Sequence, residues 1–270
     1  MKPVVLAFLC LCAALAGADT LDFARQAVIV SGVAVGPSEQ TGPGNLNARA
    51  IEVLKAANYD RTWTVAAYLT SHPLALRKLG RLQLETRRSG TKFLSDGAVS
   101  TEYELPIAGP VLNLILPPTG GGKLLGKTAC PCCGQRWPEG VEPGPNVKLV
   151  PCEDQNAPTF TGILIDVRGL GYRPAVFPRV VNELEEEVIG SSFAKPENLA
   201  ASGQVAYYRD RTEAFSSERV GANPLVIRAL RATGLNKCDI VVSNYDAGRI
   251  HGSKANLELL GECRVGLLTD

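Results

Sequence analysis

Asp239 to Leu268 reads DIVVSNYDAGRIHGSKANLELLGECRVGLL, and its parts differ in period. Asp239 to Val242 is a β-branched run and Arg264 to Leu268 a second apolar run, while Tyr245 to Leu260 between them has helical spacing. A strand-helix-strand unit of this length usually sets its strands parallel and adjacent, with a right-handed crossover. Cys238 and Cys263 bracket the helix near the starts of the two strands. If the strands are neighbours, these two residues are disulfide candidates, with a pair of buried reduced thiols as the equal alternative.

Upstream, Phe160 to Val167 reads as a strand stopped by Gly169 and Gly171. Ala175 to Asn182 and Glu187 to Ile189 form a hairpin around an acidic turn. Asn223 to Ala232 alternates imperfectly, and Pro224 near its start favours a strand. The first half follows the same logic. Ala27 to Gly36 is a valine-rich strand, and Leu46, Ala50, Ile51, Leu54 and Ala57 then recur at helical spacing, as do Trp63, Ala66, Ala67 and Leu69. Ser71-His72-Pro73 stops that helical stretch. Phe93 to Ile107 carries Asp96-Gly97 between two strand-like runs, a hairpin signal, and Val111 to Leu116 reads as one more strand. The expected class is α+β, small mixed sheets packed against helices and ending in the strand-helix-strand unit.

The expected division is 1–18, a signal peptide; 19–116, an N-terminal α+β module; 117–158, an irregular Gly/Pro/Cys-rich loop; and 159–270, a C-terminal α+β module. The leader rests on the apolar run Val4 to Leu15 followed by Ala16-Gly17-Ala18, which predicts cleavage after Ala18 and export to the periplasm or the periplasmic face of the outer membrane. The run is too short for a comfortable membrane span. Leu9 precedes Cys10 and Leu11 precedes Cys12, where a lipobox needs a small residue, so lipidation is the weaker option, with peripheral membrane association left open. A formal charge of +1 over 270 residues gives no basic footprint for nucleic acid.

Within the loop, Gly121 to Thr128 (GGKLLGKT) fits the G-x-x-x-x-G-K-[ST] phosphate-loop pattern. Its context opposes nucleotide binding, because Pro117-Pro118 intervenes after the apolar run and ACPCCGQRWPEG after Thr128 should not form the helix whose N-terminus attracts phosphate. Cys130, Cys132, Cys133 and Cys152 follow. They suit disulfides in an oxidising compartment; a cramped zinc site, or thiol-redox chemistry, is the competing use. Gly134 and Pro138 argue against a helix-borne redox motif. His72 and His251 have no motif partner, with an exposed or capping role favoured for His251; Glu153-Asp154 and Glu183 to Glu187 read as solvated acidic stretches. No catalytic set and no cofactor beyond that possible zinc emerges, so an enzyme is not expected.

Five stretches carry a family likeness: GVAVG (32–36) with the helix after it, LSDGAVSTEYELPIAG (94–109), TGILIDVRGLGYRPAVFPRVVNE (161–183), RVGANPLVIRALRATG (219–234) and CRVGLLTD (263–270). Together they resemble bacterial envelope proteins related to the Lpp-twenty surface lipoproteins and the N-terminal region of the flagellar assembly protein T. That resemblance implies an exported structural or interaction protein of outer-membrane or flagellar assembly, whose partners are other envelope proteins or further copies of itself. The alternative reading is a periplasmic metal-binding or thiol-redox protein using the Cys130 to Cys152 cluster.

Overall fold

β1 (Thr20–Asp22) and β2 (Ala27–Ala34) open the described residues as an antiparallel pair, followed by α1 (Pro43–Ala56), α2 (Val65–Ser71) and α3 (Pro73–Leu79). The computed structural model describes residues 19–34, 43–93, 95, 97–152 and 158–270. The leader (1–18), the Gly36-Pro37 strand end, Asp96 of the hairpin turn and Glu153-Asp154 lie outside them. Pro73 sits in the first turn of α3, where its missing N–H costs nothing, so the predicted stop at Ser71-His72-Pro73 separates α2 from α3. β3 (Arg87–Phe93) and β4 (Val99–Pro106) complete an antiparallel sheet of order β1-β2-β4-β3. Leu46, Ala50, Ile51 and Leu54 of α1 share a core with Val28, Val30 and Leu105 of that sheet.

Val111 to Leu116, read as a strand, is instead the short helix α4 (Pro110–Leu114). A short apolar run cannot be assigned by period alone. Here Gly109, at φ 77°, turns the chain and Pro110 enters the first helical turn, while Leu112 N–H bonds the Ile107 carbonyl at 3.1 Å.

β5 (Thr128–Ala129) and β6 (Val150–Pro151) form a two-stranded ribbon inside the Gly/Pro/Cys-rich segment. The remainder supplies β7 (Ile163–Asp166), β8 (Val180–Val181), β9 (Glu187–Ile189), α5 (Pro196–Ser202), β10 (Ala206–Tyr208), α6 (Arg211–Ser216), β11 (Leu225–Arg228), β12 (Arg231–Thr233), β13 (Asp239–Val241), α7 (Asn244–Ile250), α8 (Lys254–Gly261) and β14 (Val265–Leu268). Two four-stranded sheets result. One, β10-β14-β7-β11, is parallel throughout; the other, β12-β13-β8-β9, is mixed. The stretch read as one strand from Asn223 to Ala232 passes between them: Ala229 N–H bonds Asp166 O at 3.0 Å, and Leu230 N–H bonds Val241 O at 2.8 Å.

The fold is α+β. One feature of the expected ending is corrected. β13 and β14 are not neighbours, since β14 lies between β10 and β7 while β13 lies between β12 and β8. Two helices rather than one connect them, broken where Ser253 caps α8 by accepting Asn256 N–H at 3.1 Å, and the bent crossover delivers β14 to the other sheet. Cys238 and Cys263 are accordingly two separate buried free thiols, with Cys263 in the core built around α1. Burial raises them to about 12 and about 11, so neither is a ready thiolate.

The halves meet across that same core. Val176, Phe177, Ala194 and Leu199 from the second half pack into it, and Val176 and Phe177 N–H bond the carbonyls of Asn58 and Tyr59, each at 2.9 Å. Among the described residues no helix is long and apolar enough to cross a membrane.

Candidate functional site

The glycine-rich loop is held by the second half of the chain. Gly120, Gly121 and Gly126 adopt φ of 85°, 82° and 127°, a region that side chains other than glycine avoid. A Cβ on Gly122 would come within 2.5 Å of the Phe193 ring. Leu125 is buried in the core of the second half. Its N–H donates to Nδ1 of His251 at 2.9 Å, and Nε2 of His251 faces Val188 O at 2.7 Å. With Nδ1 accepting, the proton must sit on Nε2 and donate to Val188, so the ring is the neutral tautomer. Desolvation, partly opposed by the Val188 bond, lowers the His251 pKa and favours that neutral state.

His251 is 2% exposed, packed edge-on against Phe193 at 4.7 Å between ring centroids. It follows the last turn of α7, but the exposed role favoured from sequence is corrected. Its partners come from a loop over a hundred residues earlier and from β9, which no local pattern reveals. Thr128 begins β5 rather than a helix, so the motif's glycines serve turns and close packing.

Past β5 the chain folds into a tight thiol-bearing hairpin. Cys130 N–H bonds Gln135 O and Gly134 N–H bonds Cys130 O, both at 2.9 Å, with Gly134 at φ 71°. Trp137 N–H closes the ribbon onto Thr128 O at 2.7 Å. Cys130 is half-buried; Cys132 and Cys133 are exposed, and all are free. Backbone hydrogen bonds from Cys133 and Cys132, with smaller help from their side chains, lower the Cys130 thiol pKa. On the other side of β5, the β5/β6 register sets Cys152 opposite Lys127, whose carbonyl accepts Cys152 N–H at 2.8 Å. Cys152 is thus displaced three positions from Cys130, roughly 10 Å along the strand. The four cysteines do not gather into one set, and among the described residues no group of three or more His, Cys, Asp or Glu is placed to hold a metal ion.

Between this ribbon, the glycine loop and α8 lies a cavity of about 1220 Å³. Leu124, Trp137, Val147 and Leu257 give it apolar walls, and Lys127, Lys148 and Lys254 stand among them. Two further cations of the lining are paired: Lys123 with Glu186 at 3.2 Å, and Arg136 with Glu139.

Elsewhere the charged groups at the sheet ends and helix termini are mostly paired, although Arg179 Nε, Asp239 Oδ1 and Asn256 Oδ1 are buried without a hydrogen-bond partner. Asp166, at the carboxyl end of β7, is held down to about 2, chiefly by the hydrogen bonds of Arg168, with Arg228 at 2.8 Å adding to the effect. Ser71 Oγ lies 2.9 Å from His72 Nδ1, but both also engage the Tyr68 carbonyl at the end of α2. Among the described residues no carboxylate orients that histidine, and the pair is a helix terminus rather than an activated nucleophile.

Residues 162–270 match the family described as Treponema pallidum Tp0624, second domain. The chain is similar to that domain from the residue before β7 to its C-terminus, a span that holds the parallel sheet and His251 but stops short of the thiol hairpin and the glycine loop. No curated protein matches the chain.

Proposed function

We propose that this is an exported cell-envelope protein that acts by assembly and interaction, in an outer-membrane or flagellar structure, and that the segment from Gly120 to Cys152 is its working surface. The observation that carries this reading is the way the segment is built. It is pinned at Leu125 through His251 and ordered by the β5/β6 ribbon, yet it presents Val141, Val150 and two cysteines to solvent. Loops that are anchored at the base and open at the tip are a common location for binding residues. The leader and the likeness to envelope and flagellar proteins support the compartment.

Two measurements test it together. A fusion of residues 1–30 to a reporter active only outside the cytoplasm should be active, and a bait lacking 128–152 should lose envelope partners that the intact chain retains. A silent reporter, or identical partners for both baits, overturns the reading.

A second reading rests on Cys130, whose thiolate is favoured by the N–H groups around it. This is thiol or metal chemistry at the hairpin. Elemental analysis with a free-thiol count separates the two: one tightly bound zinc, or a Cys130-dependent redox couple, would place the chemistry of this segment ahead of its surface.

A further inference from the structure

We infer that the cavity between the glycine loop, the β5/β6 ribbon and α8 is a binding site for a single-chain anionic amphiphile, an apolar chain ending in a phosphate or carboxylate. The inference rests on the reading of this segment as the working surface and names what it takes.

Three features specify the ligand. The volume, about 1220 Å³, lies slightly above the usual range of about 300–1,000 Å³ for small-molecule sites and leaves room for a chain. Apart from its charged side chains, the lining is mainly apolar. Trp137 is half-buried and its indole N–H is already donated to Val141 O at 2.7 Å, so what remains to the cavity is aromatic surface beside Leu124, Val147 and Leu257.

The charges are asymmetric. Lys123 and Arg136 are occupied by Glu186 and Glu139, whereas Lys127, Lys148 and Lys254 pair with no carboxylate among the described residues. Glu142 is the remaining acid of the lining, so the unpaired charge is net positive. Three ammonium groups around an apolar recess fit an anionic head on a hydrocarbon tail. A polyanion without a tail would leave the walls unused, and a neutral amphiphile would leave the lysines without a counter-charge.

The recess also has a fixed wall. The glycine loop cannot swing freely, because Leu125 is tied to His251 and Gly122 lies flat on Phe193. A preformed wall lowers the ordering cost of binding.

The probe is dodecyl phosphate, kept below its micelle concentration and added to the purified mature protein carrying Trp63→Phe so that Trp137 is the sole indole. Saturable change in Trp137 emission is expected, with dodecyl maltoside at least about tenfold weaker and inorganic phosphate without effect. The triple variant Lys127→Gln/Lys148→Gln/Lys254→Gln should weaken dodecyl phosphate about tenfold and leave dodecyl maltoside unchanged, as expected if three exposed charge contacts each contribute a few tenths of a kcal/mol. Circular dichroism on the triple variant checks that it remains folded. No saturable binding, equal affinity for both detergents, or a triple variant that binds dodecyl phosphate as the parent does overturns the inference. Inorganic phosphate binding as tightly as dodecyl phosphate also overturns it, since the tail would then be irrelevant. The assay uses isolated protein, so it can fail while export and partner loss hold, or succeed while they do not.

Discussion

The parallel sheet β10-β14-β7-β11 and the segment from Gly120 to Cys152 are ordered by different means. In the sheet, Ile163, Leu164, Ile165, Leu267 and Leu268 have no accessible surface, and ladder bonds run from strand to strand with one register. In the segment, regular pairing is confined to two residues on each strand of the β5/β6 ribbon, and order comes from glycine conformations and a few bonds such as that between Leu125 and His251. Stability in the first region is spread over many apolar contacts; in the second it is concentrated in a handful of groups. Substitutions should therefore hurt the sheet through lost volume and the segment through lost pins.

The largest effect belongs to the sheet. Ile165→Ala removes a fully buried side chain from the centre of the second-half core and should destabilise the protein by about 2–5 kcal/mol, read as a drop in the urea midpoint at constant slope. A loss well under 1 kcal/mol would mean that this core is not the main source of stability. Next comes the histidine pin. His251→Ala strands the Leu125 N–H and the Val188 carbonyl in a buried site and should cost about 1–3 kcal/mol.

The pin also carries a pH signature. The folded-state pKa of His251 lies below its ordinary value of 6.5, so the folded protein binds fewer protons than the unfolded chain once pH falls below that value. The contribution is complete above 6.5 and is lost as pH falls from there through the folded pKa. Stability profiles of the parent and His251→Ala should converge on acidification through this window; parallel profiles would remove the neutral-tautomer assignment.

The same contrast explains what could be read from the amino-acid order. Strands such as Ile163–Asp166 and Val265–Leu268 are short apolar runs with glycine nearby, and their positions follow from composition; so does the helical period of Leu46, Ala50, Ile51 and Leu54. Which strands pair does not follow. β14 joined β7 and β10 rather than β13, because the crossover is two capped helices whose relative direction is set by tertiary packing. The short helices α5 and α6 carried no long period to detect. In the loop from 117 to 158 the local spacing says little about how the chain packs. GGKLLGKT has phosphate-loop spacing, yet its glycines answer to Phe193 and to turns of positive φ, both invisible without the distant partner.

Gly122→Ala is the sharper probe of that packing. The added methyl meets the Phe193 ring, a side chain able to shift, so the cost should fall near the low end of overpacking penalties, about 1–2 kcal/mol. Because Phe193 also packs on His251, Gly122→Ala/Phe193→Leu should be less destabilised than the sum of its single changes. Strict additivity would separate the glycine from the ring and show that this contact does not limit the space at Gly122.

Lys123→Ala should have the smallest effect. Its ion pair with Glu186 also bridges the glycine loop to the second half, as the histidine pin does, but the lysine side chain is 82% exposed. An exposed pair loses most of its Coulomb attraction to water and carries the entropy cost of holding a long side chain. Glu186 would not be left alone, since the Asn182 side chain donates to it at 3.0 Å and is the first cause of its lowered pKa. The expected loss is below about 0.5 kcal/mol by urea titration and smaller still in high salt. If Lys123→Ala instead matched His251→Ala, the loop would be held by surface charge rather than by its buried bond. The distinction between a sheet stabilised by volume and an insertion stabilised by a buried pin would then have to be redrawn around electrostatics.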